Sequence, residues 1–293
     1  GRVNSFAPEA KIIHVVSDPA EQGKVRKPDV PIVGDCRLVI EAMIEALRDL
    51  MQGGEKQSDL TAWRSRVSGW REQFPLAYEP SELGEALKPQ FCLEKLRDAA
   101  PEGTILVSGV GQHQMWSSQY WNFNEPYTWV NSGGLGTMGF SIPAAIGAKV
   151  GRPDKTVWAI DGDGCFQMTA QELVTASLER IPIKVGILNN SYLGMVRQWQ
   201  EMFYGERYSE VNLAGCPDFV KWAEAMGCVG IRVESLEEID GAIELANSIN
   251  DRSVVIDFRV EEFEKVFPMV PAGQSNDDVL LHPSQESERG LLR

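Results

Sequence analysis

Residues 156–164 read TVWAIDGDG, and residues 183–190 read IKVGILNN. Each is a continuous apolar run of strand length that stops at a polar corner. Between them, MTAQELVTASLE (168–179) places its apolar residues at helical spacing. Strands without polar alternation, separated by amphipathic helices, mean a parallel sheet covered on both faces. Such sheets bind ligands beyond the carboxyl ends of their strands. The same alternation continues outward. Upstream come a helix at FCLEKLRDAA (91–100), a strand at TILVS (104–108) and a glycine turn. Downstream lie helices at 217–227 and 236–249 and strands at CVGIRV (228–233) and SVVIDF (253–258).

The front of the chain reads differently. KIIHVVS (11–17) reads as a short buried strand, followed by a loop with Pro19, Pro28 and Pro31. RLVIEAMIEALRDLM (37–51) has helical periodicity and stops at Gly53-Gly54. One strand and one helix leave no room for a full sheet, so residues 1–52 read as the end of a second α/β domain. Residues 53–88, polar and proline-bearing with a helix around Trp63 to Trp70, read as a linker. Residues 89–285 then form the regular α/β domain, and 286–293 a frayed tail. The chain opens Gly-Arg-Val-Asn rather than with Met, and reads as a processed product or an excised piece.

Composition narrows the classes. The 293 residues are 43% hydrophobic and 24% charged, as in a soluble globular protein. No apolar run reaches the roughly eighteen residues of a membrane span, and no export signal opens the chain. A formal charge of -14 argues against nucleic acid. Cys36, Cys92, Cys165, Cys216 and Cys228 are odd in number, widely spaced and free of any CxxC pair. That speaks against a disulfide framework or a zinc site and for a reducing cytoplasm. His14, His113 and His282 are equally scattered. A nucleotide-binding module would want GxGxxG in its first βαβ unit, and none opens it.

The corner Asp161-Gly162-Asp163-Gly164 lets the backbone turn and approach a ligand closely, with a helix starting a few residues on. A carboxylate beside a helix N-terminus suits a Mg²⁺–diphosphate pair. The four residues alone fit an ordinary loop better, and such runs occur in calcium sites as well. The next strand, however, ends at the same sheet edge in Asn189-Asn190. Asp163, the Asn190 side-chain oxygen and a loop carbonyl near Tyr192 would supply three of the six oxygens Mg²⁺ takes.

A GDG followed by 25 residues and then Asn190 resembles the cofactor motif of thiamine diphosphate (ThDP) enzymes. Several segments are similar, within that group, to the acetolactate synthase catalytic subunits. They are GVGQHQMW (109–116), SGGLGTMGFSIPAAIGA (132–148), DGDGCFQMTAQEL (161–173), LNNSYLGMVRQWQ (188–200) and FPMVPAG (267–273). HVVSDPAEQGK with VPIVGDC resembles the end of that family's middle domain, so the likeness spans nearly the whole chain.

The resemblance implies three α/β domains, of which this chain holds the end of the FAD-binding middle one and the whole diphosphate-binding last one. It implies Asp163, Asn190 and the Tyr192 carbonyl as Mg²⁺ ligands. Val110, Gly111, Gln112 and His113 would line the diphosphate, with Gly136, Gly164 and Cys165 alongside. Met138 would support the thiazolium, and Gly194, Met195 and Trp199 would belong to a segment closing over substrate. Met138 and Trp199 are thus the candidates nearest the chemistry. Each has a plainer reading. His113 alone fits a hydrogen-bonded core histidine, Met138 core filler and Trp199 simple packing. Cys165 stands where the family usually carries serine and reads as a tolerated small residue. EEFE (261–264) reads as a solvated face.

The implied reaction joins two pyruvates, or pyruvate and 2-ketobutyrate, with loss of CO₂, in branched-chain amino acid biosynthesis. The family's active site lies between two subunits of a dimer or tetramer, some with a regulatory small subunit. Its catalytic glutamate belongs to an N-terminal domain that nothing here resembles, so the chain alone is expected to be inactive. Val16-Ser17-Asp18 stands where the family commonly has Asp-Ile-Asp, leaving Asp35 as the expected FAD contact. The rival readings are another ThDP enzyme (pyruvate oxidase, glyoxylate carboligase or a 2-ketoacid decarboxylase) and a non-catalytic cofactor-binding fragment.

Overall fold

A computed structural model describes residues 1–54 and 58–292, with the side chains of 288–292 left aside. The part of the expected linker at 55–57 and the last residue of the expected tail lie outside the described residues. The chain forms two compact units, one of residues 1–77 with 267–293 and one of Tyr78–Val266.

In the first unit β1 (Ile13–Val16) and β2 (Val30–Val33) pair in parallel, His14 facing Pro31. The sequence reading placed β2 within a loop bearing Pro19, Pro28 and Pro31. A proline fits here because a two-stranded pair has only edge strands, where a missing N–H costs nothing. The expectation of a buried β1 is also corrected, since Ile13 is exposed and the other three residues are half-buried. Then come α1 (Cys36–Gln52) and α2 (Thr61–Gln73). Asp35 caps α1 by accepting from the N–H groups of Arg37 and Leu38, a cap type worth about 1 kcal/mol. The expected tail forms a 3₁₀ helix over Pro283–Leu292.

The second unit opens with α3 (Pro89–Ala99), β3 (Ile105–Ser108), α4 (Gln112–Tyr120) and β4 (Trp129–Asn131). There follow α5 (Ser141–Gly151), β5 (Val157–Gly162), α6 (Asp163–Phe166) and α7 (Glu172–Leu178). The last elements are β6 (Lys184–Asn189), α8 (Gly194–Phe203), α9 (Phe219–Ala225), β7 (Val229–Val233), α10 (Leu236–Ser248) and β8 (Val254–Arg259). All six strands run parallel in the order β4-β3-β5-β6-β8-β7.

Successive strand residues feed opposite faces, as the period of two requires. Trp158, Ile160, Leu188, Ile256 and Phe258 pack with Leu93 and Leu96 of α3, Trp116 of α4 and Ile239 and Ile243 of α10. Val157, Ala159, Val185, Ile187 and Val255 pack with Ile142 of α5, Leu173 of α7 and Phe219 of α9. This is the doubly covered parallel sheet that the apolar strands imply. From β3 the chain leaves toward β4 on one side, whereas from β5 it leaves toward β6 on the other. The loops beyond these two neighbouring strands therefore diverge and open a crevice at the carboxyl edge.

Candidate functional site

The crevice holds a cavity of about 80 Å³ at the ends of β3, β5 and β6. Val110, Gly111, Gln112, His113, Met138, Asp163, Gly164, Cys165, Asn190, Tyr192, Gly194 and Met195 all line it. Twelve candidates drawn from four separate stretches of sequence thus meet in one place. Three others stand apart. Gly136 sits in the exposed loop after β4 at φ +72°, and Asp35 caps α1 in the other unit. Trp199, on α8, packs its ring 5.1 Å from that of Phe203.

Three glycines make room for one imidazole. A Cβ at Gly109, Gly111 or Gly162 would lie 2.8–2.9 Å from the His113 ring, closer than side-chain carbons approach. Gly111 also takes φ +153° just ahead of α4, a conformation glycine adopts without strain. His113 is 5% exposed, and its Nε2 lies 3.4 Å from Asp161 Oδ1. Ser141 Oγ donates to the other Asp161 oxygen, tying α5 to the end of β5. The Cys165 sulfur accepts from the N–H groups of Val110 (3.5 Å) and Gly139 (3.0 Å), joining the loops around it. Burial, with Asp161 nearby, pushes the Cys165 thiol well above its ordinary range. Buried and hydrogen-bonded to Asp161, it is a neutral packing group rather than a nucleophile.

Asp163 begins α6, earlier than the sequence reading placed a helix. It is 1% exposed and its Oδ2 has no hydrogen-bond partner among the described residues. Burial is the main cause that pushes its carboxyl up to about 7, against the N–H groups of Gly164 and Asp163 itself. An unpaired buried carboxylate is costly, and a cation beside it would remove that cost. Across the crevice Asn190 is also buried; its Oδ1 accepts from Tyr192 N–H at 3.2 Å, while Ser191 takes φ +59°. Leu193 N donates to Val211 O and Leu213 N to Ser191 O, which pins this turn.

Behind Asn190 lies a polar lattice that sequence reasoning missed. Gln112 Oε1 accepts from Asn190 Nδ2 (3.2 Å), while Gln112 Nε2 donates to Gln198 Oε1 (2.8 Å) and to the Glu264 carbonyl (2.9 Å). Arg197, fully buried, donates to the same carbonyl at 2.7 Å and to Glu201 at 2.5 Å, and lies over the Phe263 ring. Glu264 is not part of a solvated face. Its carboxylate accepts from Lys88 at 2.7 Å and Gln90 at 3.0 Å. Gly194 has its own reason, since a Cβ there would come 2.0 Å from Gln112 Oε1 and 2.7 Å from Asn190 Nδ2. Leu188, Leu193, Val196 and Trp116 also line the cavity. A polar pair on a helix, such as Arg197-Gln198 within LGMVRQWQ, is the one signal that could have pointed to this lattice.

The crevice at the edge of this parallel sheet thus has glycines at its rim and brings a buried acid and a buried amide to one cavity. Residues 109–258, about half of the chain, match the thiamine pyrophosphate enzyme C-terminal TPP binding domain, and residues 1–43 match the central domain of the same enzymes. The chain belongs to the thiamine pyrophosphate enzymes. It is 53% identical over 283 residues to "Acetolactate synthase" of Mycobacterium leprae, covering 95% of this chain and 45% of that protein. The acetolactate synthase large subunit of Corynebacterium glutamicum is 51% identical over the same shares. The chloroplastic acetolactate synthase 2 of Nicotiana tabacum is 38% identical, over 96% of this chain and 42% of the tobacco protein. The chain thus spans less than half the length of these relatives. In fold it is similar to a Rhodococcus jostii thiamine diphosphate-dependent 4-hydroxybenzoylformate decarboxylase, at TM-score 0.68 and 24% identity over 86% of this chain and 44% of that one. No described helix is long and apolar enough to cross a membrane.

Proposed function

We propose that the chain forms the diphosphate- and Mg²⁺-binding part of an acetolactate synthase. Its substrates would be two pyruvates, or pyruvate and 2-ketobutyrate. The carrying observation is Asp163 Oδ2, buried and without a hydrogen-bond partner among the described residues, in the crevice that Asn190 also lines. It fits a hard divalent cation, which takes oxygen ligands and tolerates diphosphate as a co-ligand. The relatives at 51–53% identity support the reaction.

Bound ThDP supplies the electron sink that lets a 2-ketoacid lose CO₂ and its remainder join a second 2-ketoacid. The protein's own residues do the rest. Asp163, Asn190 and the Tyr192 carbonyl would hold Mg²⁺, and Gln112, which accepts from Asn190 Nδ2, keeps the amide oxygen on the side away from the lattice. Gly111, Gln112, His113 and Gly164 leave space and dipoles for the diphosphate. Met138 and Met195 present apolar walls that exclude water. Trp199 and Gly136 enter the proposal only through movement of their segments, because neither borders the cavity. At about 80 Å³ the cavity is smaller than a cofactor-sized pocket of roughly 300 Å³ or more. It suits the diphosphate end, the remaining walls coming from a second subunit or from further chain. FAD would touch this chain through Asp35, whose Oδ1 already caps α1. We take residues 1–52 as the end of a middle domain, 53–88 as linker and 89–285 as the cofactor domain. A cytoplasmic setting rests on five unpaired cysteines.

Calorimetric titration of ThDP into the chain tests the proposal. Heat of binding is expected with Mg²⁺, and is expected to vanish when Mg²⁺ is chelated or in Asp163→Ala. Binding that ignores both changes would refute the assignment of Asp163.

A further inference from the structure

The turn that carries Asn190 is tied to the neighbouring strand by two buried polar side chains, neither of which lines the cavity. Asp257 stands on β8 in the otherwise apolar run VVIDF and is 1% exposed, and Asn189, the last residue of β6, is 2% exposed. Asp257 Oδ1 accepts from Asn189 Nδ2 at 2.8 Å, and Asn189 Oδ1 accepts from the Ser191 N–H at 3.2 Å. The Asn189 amide therefore links β8 to the turn and passes over Asn190. Ser191 takes φ +59°, a left-handed conformation that a residue with a Cβ keeps only where its surroundings hold it. Asp257 Oδ2 has no hydrogen bond among the described residues and faces Arg232 Nε at 3.6 Å and Arg259 Nη1 at 3.8 Å. Arg232 also donates to Asp218, the cap of α9, at 2.6 Å.

Packing alone does not call for a carboxylate here. A buried ion pair is commonly no more stabilising than apolar residues of the same size, and the other residues of β8 up to Phe258 are apolar. What Asp257 adds over a leucine is an acceptor that decides which way the Asn189 amide turns. With Nδ2 drawn to β8, Oδ1 is left for the Ser191 N–H. Both ends of this relay also act on Asp163. Burial is the main cause that raises its carboxyl, Asp257 adds to the rise, and the Ser191 N–H opposes it.

We infer that Asp257 is a positioning residue for the divalent-cation site: through Asn189 it fixes the left-handed Ser191, and with it the Asn190 side chain and the Tyr192 carbonyl on either side. The inference rests on the reading of Asn190 and Tyr192 as Mg²⁺ ligands. Gln112 restrains the Asn190 amide itself, whereas Asp257 restrains the backbone that carries it. Mg²⁺ demands near-ideal octahedral geometry at about 2.0–2.1 Å, so ligands flanking one turn residue must be set before the ion arrives. Ca²⁺, at about 2.3–2.6 Å with flexible coordination, is far less exacting. Groups that orient metal ligands are typically worth about 10–100-fold in metal affinity.

Calorimetric titration of ThDP into the full 293-residue chain, in Mg²⁺ and separately in Ca²⁺, tests the role. Asp257→Ala is expected to weaken Mg²⁺-dependent binding about tenfold or more, and Ca²⁺-dependent binding about threefold or less. Asp257→Asn keeps an oxygen for Asn189 Nδ2 and is expected to stay within about threefold of the unaltered chain with both ions. Glycine takes a left-handed turn without strain, so adding Ser191→Gly to Asp257→Ala should recover about threefold or more of the lost Mg²⁺-dependent affinity. A loss of packing would weaken binding with both ions alike and would not be mended by a glycine. Should Asp257→Ala not fold, Asn189→Ala breaks the same relay and carries the same expectation. Unchanged Mg²⁺-dependent binding, equal weakening with the two ions, or no recovery by Ser191→Gly would overturn the positioning role and leave the proposed function standing. Absence of Mg²⁺-dependent binding in the unaltered chain would instead refute the proposed function, and this role with it.

Discussion

α1 and α10 are both amphipathic helices read from the same kind of periodicity, yet they end in opposite conditions. In α10 the apolar stripe Ile239, Ala242, Ile243 and Ala246 is buried against the six-stranded sheet. In α1 every residue is at least partly exposed, and Leu38, Leu47, Leu50 and Met51 are each more than half exposed. Periodicity states which face wants burial, and only a partner surface grants it. In the second unit the sheet supplies that surface on both faces; within the first, the two-stranded pair of β1 and β2 offers little.

The contrast is most open to attack in the core. Trp158→Ala removes a fully buried ring from β5, and is expected to cost about 3–5 kcal/mol in chemical unfolding followed by signals from the second unit. A cost below about 1 kcal/mol would mean that the sheet is not packed as described. Gly194→Ala probes the lattice under the crevice. The added methyl meets Gln112 Oε1 and Asn190 Nδ2, so Mg²⁺-dependent ThDP affinity should fall about tenfold or more, roughly 1.4 kcal/mol. The circular dichroism of the helices should stay unchanged. The smallest effect belongs to Leu47→Ala in α1, expected within about 0.5 kcal/mol because the side chain is 56% exposed and alanine favours the helix. A large loss there would show that the α1 face is covered in solution.

Much of the site was legible because it depends on local rules. Asp163 and Asn190 each sit just past an apolar strand, and parallel strands put such corners on one edge. The glycines were legible as open backbone, but their particular duty was not. That Gly109, Gly111 and Gly162 surround one histidine, and that Gly194 spares a Gln112–Asn190 pair, depends on side chains from distant segments meeting. The same holds for Glu264. Its acidic neighbours suggest solvent, but its ion pair with Lys88, 176 positions away, places it inside. β2, placed in a proline-bearing loop, erred in the opposite direction, because Pro31 is harmless only where its strand has a free edge.

By itself the sequence determined the parallel, doubly covered sheet and its strand ends with Asp163 and Asn190, because periodicity and turn chemistry act over a few residues, while the other residues of the crevice came from the family resemblance. Only the tertiary structure decided the strand order that opens the crevice between β3 and β5. It also decided that Asp163 Oδ2 has no hydrogen-bond partner among the described residues, and the meeting of His113, Asp161 and Cys165. Those outcomes depend on contacts between segments tens of residues apart, and burial, which sets the cost of an unpaired charge, exists only once the chain has closed around it.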